Sequence, residues 1–249
     1  MEIDPQKHHN GIRIFSSNTL KVIACISMLT DHIGLVFMEN DIGMRAVGRL
    51  AFPIFAFLVV QGLMHTSDVR KYLLRMGAFA LISEIPFDLA LHDRMWYPQA
   101  QNIFFTLTAG LLAIYSMESS ERLGRWRVEI TFASALIAEF LRFDYGMAGV
   151  GIIFIFYWCE KERQAGLLTD SGDVGKLTYF SLRQNMEAFI MSAITYVLCL
   201  GMGQMYALLA LIPINMYSGK RGIGNIKYLF YLFYPVHLLV IWLVLKNNC

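Results

Sequence analysis

Charged side chains are scarce in this sequence. Asp, Glu, Lys and Arg make up 16% of its 249 residues, against about 25% in an average soluble domain. A soluble chain of this length needs a charged exterior, so the shortage excludes an ordinary soluble enzyme and a disordered protein. A surplus of one sign is also missing. The formal net charge is +2, which gives a nucleic-acid partner no electrostatic footing. There are four cysteines, Cys25, Cys159, Cys199 and Cys249, and none is in a CxxC spacing. Three lie in or beside apolar stretches and read as small apolar packers, which excludes a disulfide scaffold. No GxGxxG, Walker or metal-ligand motif occurs, so no metal is expected.

What the chain has in abundance is apolar surface. Hydrophobic residues make up 56% and aromatics 14%, and the mean hydropathy is +0.49. These values point to an all-α, polytopic transmembrane bundle. A hydrocarbon core of roughly 30 Å takes about 20 residues of helix. On that template nine spans are expected: Thr19–Met38, Val47–His65, Tyr72–Leu91, Asn102–Met117, Val128–Arg142, Tyr145–Glu160, Glu187–Gly201, Gln204–Tyr217 and Tyr228–Leu245. The stretch from Cys199 to Gly203 reads as a tight hairpin or as a break in one longer run. Residues 1–18 form a polar segment followed by a signal anchor, with no small-residue cleavage site. Residues 19–246 form one transmembrane domain, with a loop or surface helix over 161–186. No internal repeat or low-complexity tract is found.

Basic residues orient the bundle. With the N-terminus in the cytoplasm, the inner segments hold 16 of the 21 Lys and Arg residues. The outer side keeps Arg45, Arg49, Arg94, Arg142 and Lys246. That asymmetry follows the positive-inside rule and puts the C-terminus outside.

Ionisable groups inside a bilayer cost several kcal/mol and mark function or a buried pair. The candidates here are Asp31 and His32 in span one, Arg49 opening span two, and Glu84 and Asp88 in span three. Asn102 opens span four, Arg142, Asp144 and Tyr145 form the turn after span five, and Tyr234 and His237 lie in span nine. The expected topology puts most of them between midplane and outer face, as if lining one buried polar cavity. Each has a structural alternative. Asp31 can staple span one to Arg49, and Glu139 can pair with Arg142. Asn102 and Asp144 can be plain helix caps, and Pro53, Pro86 and Pro235 ordinary kinks. His32 is hardest to dismiss. A neutral imidazole gains little in an apolar bundle, no obligatory partner is evident, and its intrinsic pKa suits proton transfer.

Several blocks resemble the TraX family, named for the F-pilin acetylase. They run from Leu20 to Met28 with Asp31, His32 and Gly34, through Gly48–Phe57, Tyr72–Arg75, Ile82–Phe87 and Asn102–Thr106, to Asp144–Gly146 and Tyr234–His237. The resemblance implies a bacterial inner-membrane acetyltransferase, similar to a wider transmembrane acyltransferase group that includes the lysosomal heparan-alpha-glucosaminide N-acetyltransferase. In that group a membrane-embedded histidine serves chemistry, and acetyl-CoA arrives from the cytoplasm. By motif position that histidine is His32. The acceptor is then a peptide or pilin N-terminus, a small amine or the hydroxyl of a surface glycan.

On this reading His32 is the base or a transient acetyl acceptor, and Asp31 orients it or binds a cationic amine. Arg49, Asn102, Glu84, Asp88, Arg142, Asp144, Tyr145, Tyr234 and His237 contact the acceptor or the developing oxyanion. Lys21, Arg70, Arg75, Lys220 and Arg221 are the candidate contacts for CoA phosphates, although topology alone also explains inner-face cations. Lipid surrounds the bundle, and oligomerisation is left open. Two competing readings stand beside the enzyme: a proton-coupled transporter, which the missing inverted repeat disfavours, and an assembly protein whose buried charges fix helix pairing.

Overall fold

A computed structural model describes residues 14–119, 122–169, 202–224 and 227–248. Among them the chain is helical, with no strand beyond two isolated bridges. The helices are α1 (Ser17–Val36), α2 (Ile42–Gly48), α3 (Ala51–His65), α4 (Val69–His92), α5 (Ile103–Glu118), α6 (Arg122–Arg125), α7 (Arg127–Phe140) and α8 (Gly146–Thr169). A 3-10 segment (Met202–Ala210) leads into α9 (Leu211–Asn215), and α10 runs from Lys227 to Asn248.

Short polar side chains start the main helices. Ser16 accepts the Thr19 N–H at 3.1 Å, Asp41 the Met44 N–H at 2.8 Å, and Asp68 the Lys71 N–H at 3.0 Å. Each satisfies a first-turn donor that has no intrahelical partner. At the exposed start of α4 the Lys71 backbone N–H holds the Asp68 carboxyl below the usual carboxylate range. Pro53 falls in the first turn of α3, where its missing N–H costs nothing, whereas Pro86 and Pro235 sit inside α4 and α10.

Burial sorts the helices into centre and rim. α3 packs against α1, α5 and α8, and α5 against α4, α7 and α8. Both are buried nearly all round, at Phe52, Ile54, Val59 and Val60 in α3 and Leu107, Leu111 and Ile114 in α5. α10 closes the bundle against α4 and α1. The rim is the reverse of a soluble protein. Phe132, Leu136 and Phe140 of α7 are exposed, as are Leu74, Leu81, Ile82 and Ile85 of α4 and Leu232, Val236 and Val240 of α10. Such a continuous apolar exterior is stable only in lipid.

The chain is therefore an all-helical membrane protein. Among the described residues, three stretches are long and apolar enough to cross a bilayer: Ser17–Val36, Ile42–His65 (α2 running into α3) and Tyr228–Asn247. Helices also occupy the expected spans three to six, but α7 has 14 residues, only about 21 Å of rise. The expected eighth span is broken into the 3-10 segment and α9. The expected seventh, Glu187–Gly201, lies outside the described residues. The polar insertion after Glu160 continues as helix to Thr169.

The loop that precedes α10 wraps the start of α1. Ser17 and Asn18 donate backbone N–H groups to the carbonyls of Lys220 and Arg221, at 2.8 and 3.1 Å. Asn18 Nδ2 reaches the Ile223 carbonyl at 3.0 Å. Gly219, Gly222 and Gly224 take φ of 74°, 91° and 82°, which a Cβ disfavours, so this strap around α1 depends on its glycines.

Candidate functional site

Asp31 and His32, adjacent on α1, point to different partners, as the 100° step between neighbouring helical positions requires. The Asp31 carboxylate pairs with Arg45 of α2 at 2.5 Å. This corrects the expected staple to Arg49. Arg45 lies one helical turn earlier, on a short helix that the sequence reading had left in a loop. α2 can lie this close because Gly48 faces Asp31, where any Cβ would overlap it. Arg49 instead hydrogen-bonds the Tyr145 side chain. It also lies within electrostatic reach of Asp31 and Asp144.

The turn that carries Asp144 and Tyr145 is tied down by backbone. Gln101 N–H donates to the Arg142 carbonyl and Asp144 N–H to the Gln101 carbonyl, both at 3.0 Å. The Thr106 hydroxyl donates to the Asp144 carbonyl, and Tyr145 stacks on Phe52 with centroids 4.1 Å apart. Arg142 and Tyr145 hold φ of 57° and 63°, a left-handed conformation that non-glycine residues keep only under tertiary constraint. Arg142 itself points to the exterior. The expected Glu139–Arg142 pair is replaced by a cap, with Glu139 accepting the Met147 N–H at 3.0 Å.

A second polar group joins α4 to α5. Asn102 is fully buried. Its Nδ2 donates to the Ala80 carbonyl at 2.8 Å and to Glu84 Oε2 at 2.5 Å, and its Oδ1 caps α5 by accepting the Phe104 N–H at 3.0 Å. Every hydrogen-bonding atom of that amide is engaged, so Asn102 is a structural cap and has no donor left for a substrate. Glu84 Oε1 and Asp88 Oδ1 are buried with no protein partner, while Asp88 Oδ2 accepts the Tyr97 N–H at 2.8 Å and fixes the 93–102 turn. Tyr234 stands between the two groups, within electrostatic reach of both Asp144 and Glu84.

His32 has a partner that spacing did not reveal. Its Nδ1 lies 2.8 Å from Nε2 of His237 on α10. His237 Nδ1 in turn lies 2.8 Å from the Phe233 carbonyl. Both rings are more than nine-tenths buried, and the edge of Tyr234 packs on His237 with centroids 5.5 Å apart.

Among the described residues these side chains form three polar groups: the Asp31–Arg45 pair, the Asn102–Glu84 group and the histidine pair. A cavity of about 430 Å³ lies at the other end of the bundle, where α1, α4 and α10 begin. Lys21, Arg75 and Arg221 line it, whereas Arg70 and Lys220 do not. Its walls are aromatic: Lys21 lies over Phe230, 5.4 Å from the centroid, and Arg75 lies between Tyr72 and Tyr231 at 5.4 and 5.5 Å. Phe104 is part of its lining and meets Tyr234 edge-on, with centroids 5.2 Å apart. Phe104 and Tyr234 thus link a wall of the cavity to the ring of His237. Arg45 and the aromatic walls at Tyr72 and Tyr231 were missed in the sequence. The Asp41-x-x-Met44 cap that starts α2 was a readable signal for Arg45; the walls carried none.

An apolar exterior around a core holding a charged pair, a histidine pair and a cation-lined cavity defines an integral membrane protein with an internal polar site. The TraX protein family profile matches residues 16–245, and the chain belongs to that family. It is 34% identical over 241 residues to a probable fimbrial assembly protein FimC, serogroup H1, of Dichelobacter nodosus, covering 90% of this chain and 93% of that one. It is 27% identical over 140 residues to protein TraX of Escherichia coli, covering 55% and 54%. No solved structure matches.

Proposed function

We propose that this chain is a membrane acetyltransferase that takes acetyl groups from cytoplasmic acetyl-CoA and passes them to an amine or hydroxyl acceptor, in the service of fimbrial or pilus assembly. The assembly role is drawn from the name of the Dichelobacter nodosus relative. The bundle crosses the inner membrane several times, with the start of α1 inside. One observation carries the chemical reading: a cation-lined, aromatic-walled cavity opens at the expected cytoplasmic end, and the histidine pair lies farther along the same helices. His32 is 11 residues beyond Lys21, about 16 Å along the helix, on the order of an extended pantetheine arm. Lys21, Arg75 and Arg221 suit phosphates, the volume suits a small-molecule site, and Phe104 marks the path toward the pair.

In the reaction the acceptor nitrogen or oxygen attacks the thioester carbonyl carbon. A bond forms to that carbon, the C–S bond breaks, and His32 takes the acceptor's proton and returns it to the leaving thiolate. Free CoA and the acetylated acceptor result. On this reading Arg49 helps neutralise developing negative charge. Asn102 has no such role, because its amide is engaged.

Inverted inner-membrane vesicles supplied with radiolabelled acetyl-CoA test this reading. We expect label transfer or thioester hydrolysis. A general base contributes typically about 10²–10⁴-fold, so His32→Gln should lower the rate by that factor. Absence of CoA turnover would leave a purely structural assembly role. Turnover only in right-side-out vesicles would reverse the orientation.

A further inference from the structure

We propose that His237 is a positioning residue that fixes the tautomer of His32, so that Nε2 of His32 carries the lone pair used as base. This rests on the acetyltransferase reading for its consequence but not for its geometry. A carbonyl oxygen can only accept, so the 2.8 Å contact between His237 Nδ1 and the Phe233 carbonyl puts a proton on His237 Nδ1. With the ring neutral, His237 Nε2 is then an acceptor. The 2.8 Å contact to His32 Nδ1 therefore requires the proton on His32 Nδ1, and His32 Nε2 is left without one. The carbonyl of one helix thus dictates, through two rings, which nitrogen of α1 is basic. The rings are held for this. Phe233 stacks on His237 with centroids 4.8 Å apart and planes within 13°, and the two imidazoles lie within 8° of parallel.

The alternative is that the pair only staples α1 to α10. Both ideas predict damage from His237→Phe, so the test reads the tautomer directly. Full-length protein labelled with ¹⁵N-histidine, in detergent, should show His32 protonated at Nδ1 in the wild type, with the resonance assigned by its loss in His32→Gln. His237→Gln, whose amide oxygen can accept the same hydrogen bond, should keep that tautomer. His237→Phe should shift it toward the Nε2–H form. In the vesicle assay His237→Phe should lower kcat by a factor on the order of 10³–10⁴, the scale seen when a catalytic imidazole is locked in the wrong tautomer. KM for acetyl-CoA should stay nearly constant, and His237→Gln should restore most of kcat. An Nε2–H tautomer in wild-type His32 overturns the proposal whatever the activity. So does a His237→Phe protein that keeps the Nδ1–H form. An Nδ1–H tautomer in a protein with no CoA turnover supports the positioning role and removes only the acetyltransferase reading.

Discussion

Polar groups at the two ends of the bundle are handled in opposite ways. Around α2 and the 93–102 and 141–145 turns most are paired with protein: Asp31 with Arg45, Asn102 with Ala80, Glu84 and Phe104, and the Asp144 backbone with Gln101 and Thr106, while one oxygen each of Asp31, Glu84 and Asp88 is left over. At the end where α1 begins, Lys21, Arg75 and Arg221 line an open volume, Lys21 and Arg75 against ring faces. Buried hydrogen-bonded networks fix geometry, because leaving any member unpaired costs about 1–3 kcal/mol. Cations lining a cavity are held ready for something that enters. The first region is scaffold around the histidine pair, and the second is the entry. Breaking the two should therefore give different signatures, with loss of stability in one and loss of affinity in the other.

The largest effect on the scaffold side belongs to Asn102. Asn102→Leu removes the α5 cap, worth about 1 kcal/mol, and takes from the buried Glu84 carboxylate its shorter hydrogen bond, worth a further ~1–3 kcal/mol, leaving only the backbone N–H of residue 102 at 3.2 Å. Thermal unfolding in detergent should show a fall on that combined scale. Asn102→Asp should be worse, since it sets a second carboxyl against Glu84. If either variant unfolded like wild type while transfer failed, Asn102 would be a substrate contact after all, and the scaffold assignment would be wrong.

Next is the Asp31–Arg45 pair. Both side chains are largely buried, at 15% and 21% exposure. Breaking such a pair strands a charge and costs more than removing both members. Arg45→Gln and Asp31→Asn should each destabilise by about 1–3 kcal/mol, while the double variant should be less than additive by a coupling of at least about 1 kcal/mol. Arg49→Gln, by contrast, should couple weakly to Asp31→Asn and act on transfer more than on unfolding. Coupling of Asp31 to Arg49 equal to that with Arg45 would merge the three residues into one network.

How much of this could be read from the sequence follows from physical range. Apolar periodicity is local, so the long helices were legible, and the position of His32 in α1 with them, whereas the short α2 and α6 and the break at Ala210 were not. Local spacing also offered Asn102 and Asp144 as caps, and Asn102 is one. Pairings across the bundle are not local. His32 and His237 are 205 positions apart, and nothing in either neighbourhood encodes their contact. Arg45 and Arg49 differ by one helical turn, and only the approach of α2, allowed by Gly48, decides which reaches Asp31. Which way the residues of the outer half face was hidden for the same reason. Residues at one depth were assumed to face one space, whereas Asn102 faces α4 and Arg49 faces Tyr145. Among the inner cations, composition could not separate those that line a cavity from those that only orient the chain.

That last ambiguity yields the smallest and most discriminating prediction, at the entry. Lys21, Arg75 and Arg221 line the cavity, and Arg70 and Lys220 do not. If the cavity admits the CoA phosphates, Arg221→Glu should raise KM for acetyl-CoA by roughly tenfold, the equivalent of about 1.4 kcal/mol, with kcat and unfolding little changed. Arg75→Gln should do less to charge but more to packing, because its guanidinium lies between Tyr72 and Tyr231. Lys220→Glu is the control. Lys220 is next to Arg221 and, like it, exposed, so it shares the general field of the inner face, but it does not line the cavity. Its effect on KM should be a few-fold at low salt and should fade at physiological ionic strength, where screening acts over about 8 Å. The Arg221→Glu effect should persist in salt, because a partly enclosed contact is screened less. Equal, fully salt-sensitive effects at Arg221 and Lys220 would assign both to membrane topology and leave the cavity without a phosphate-binding role.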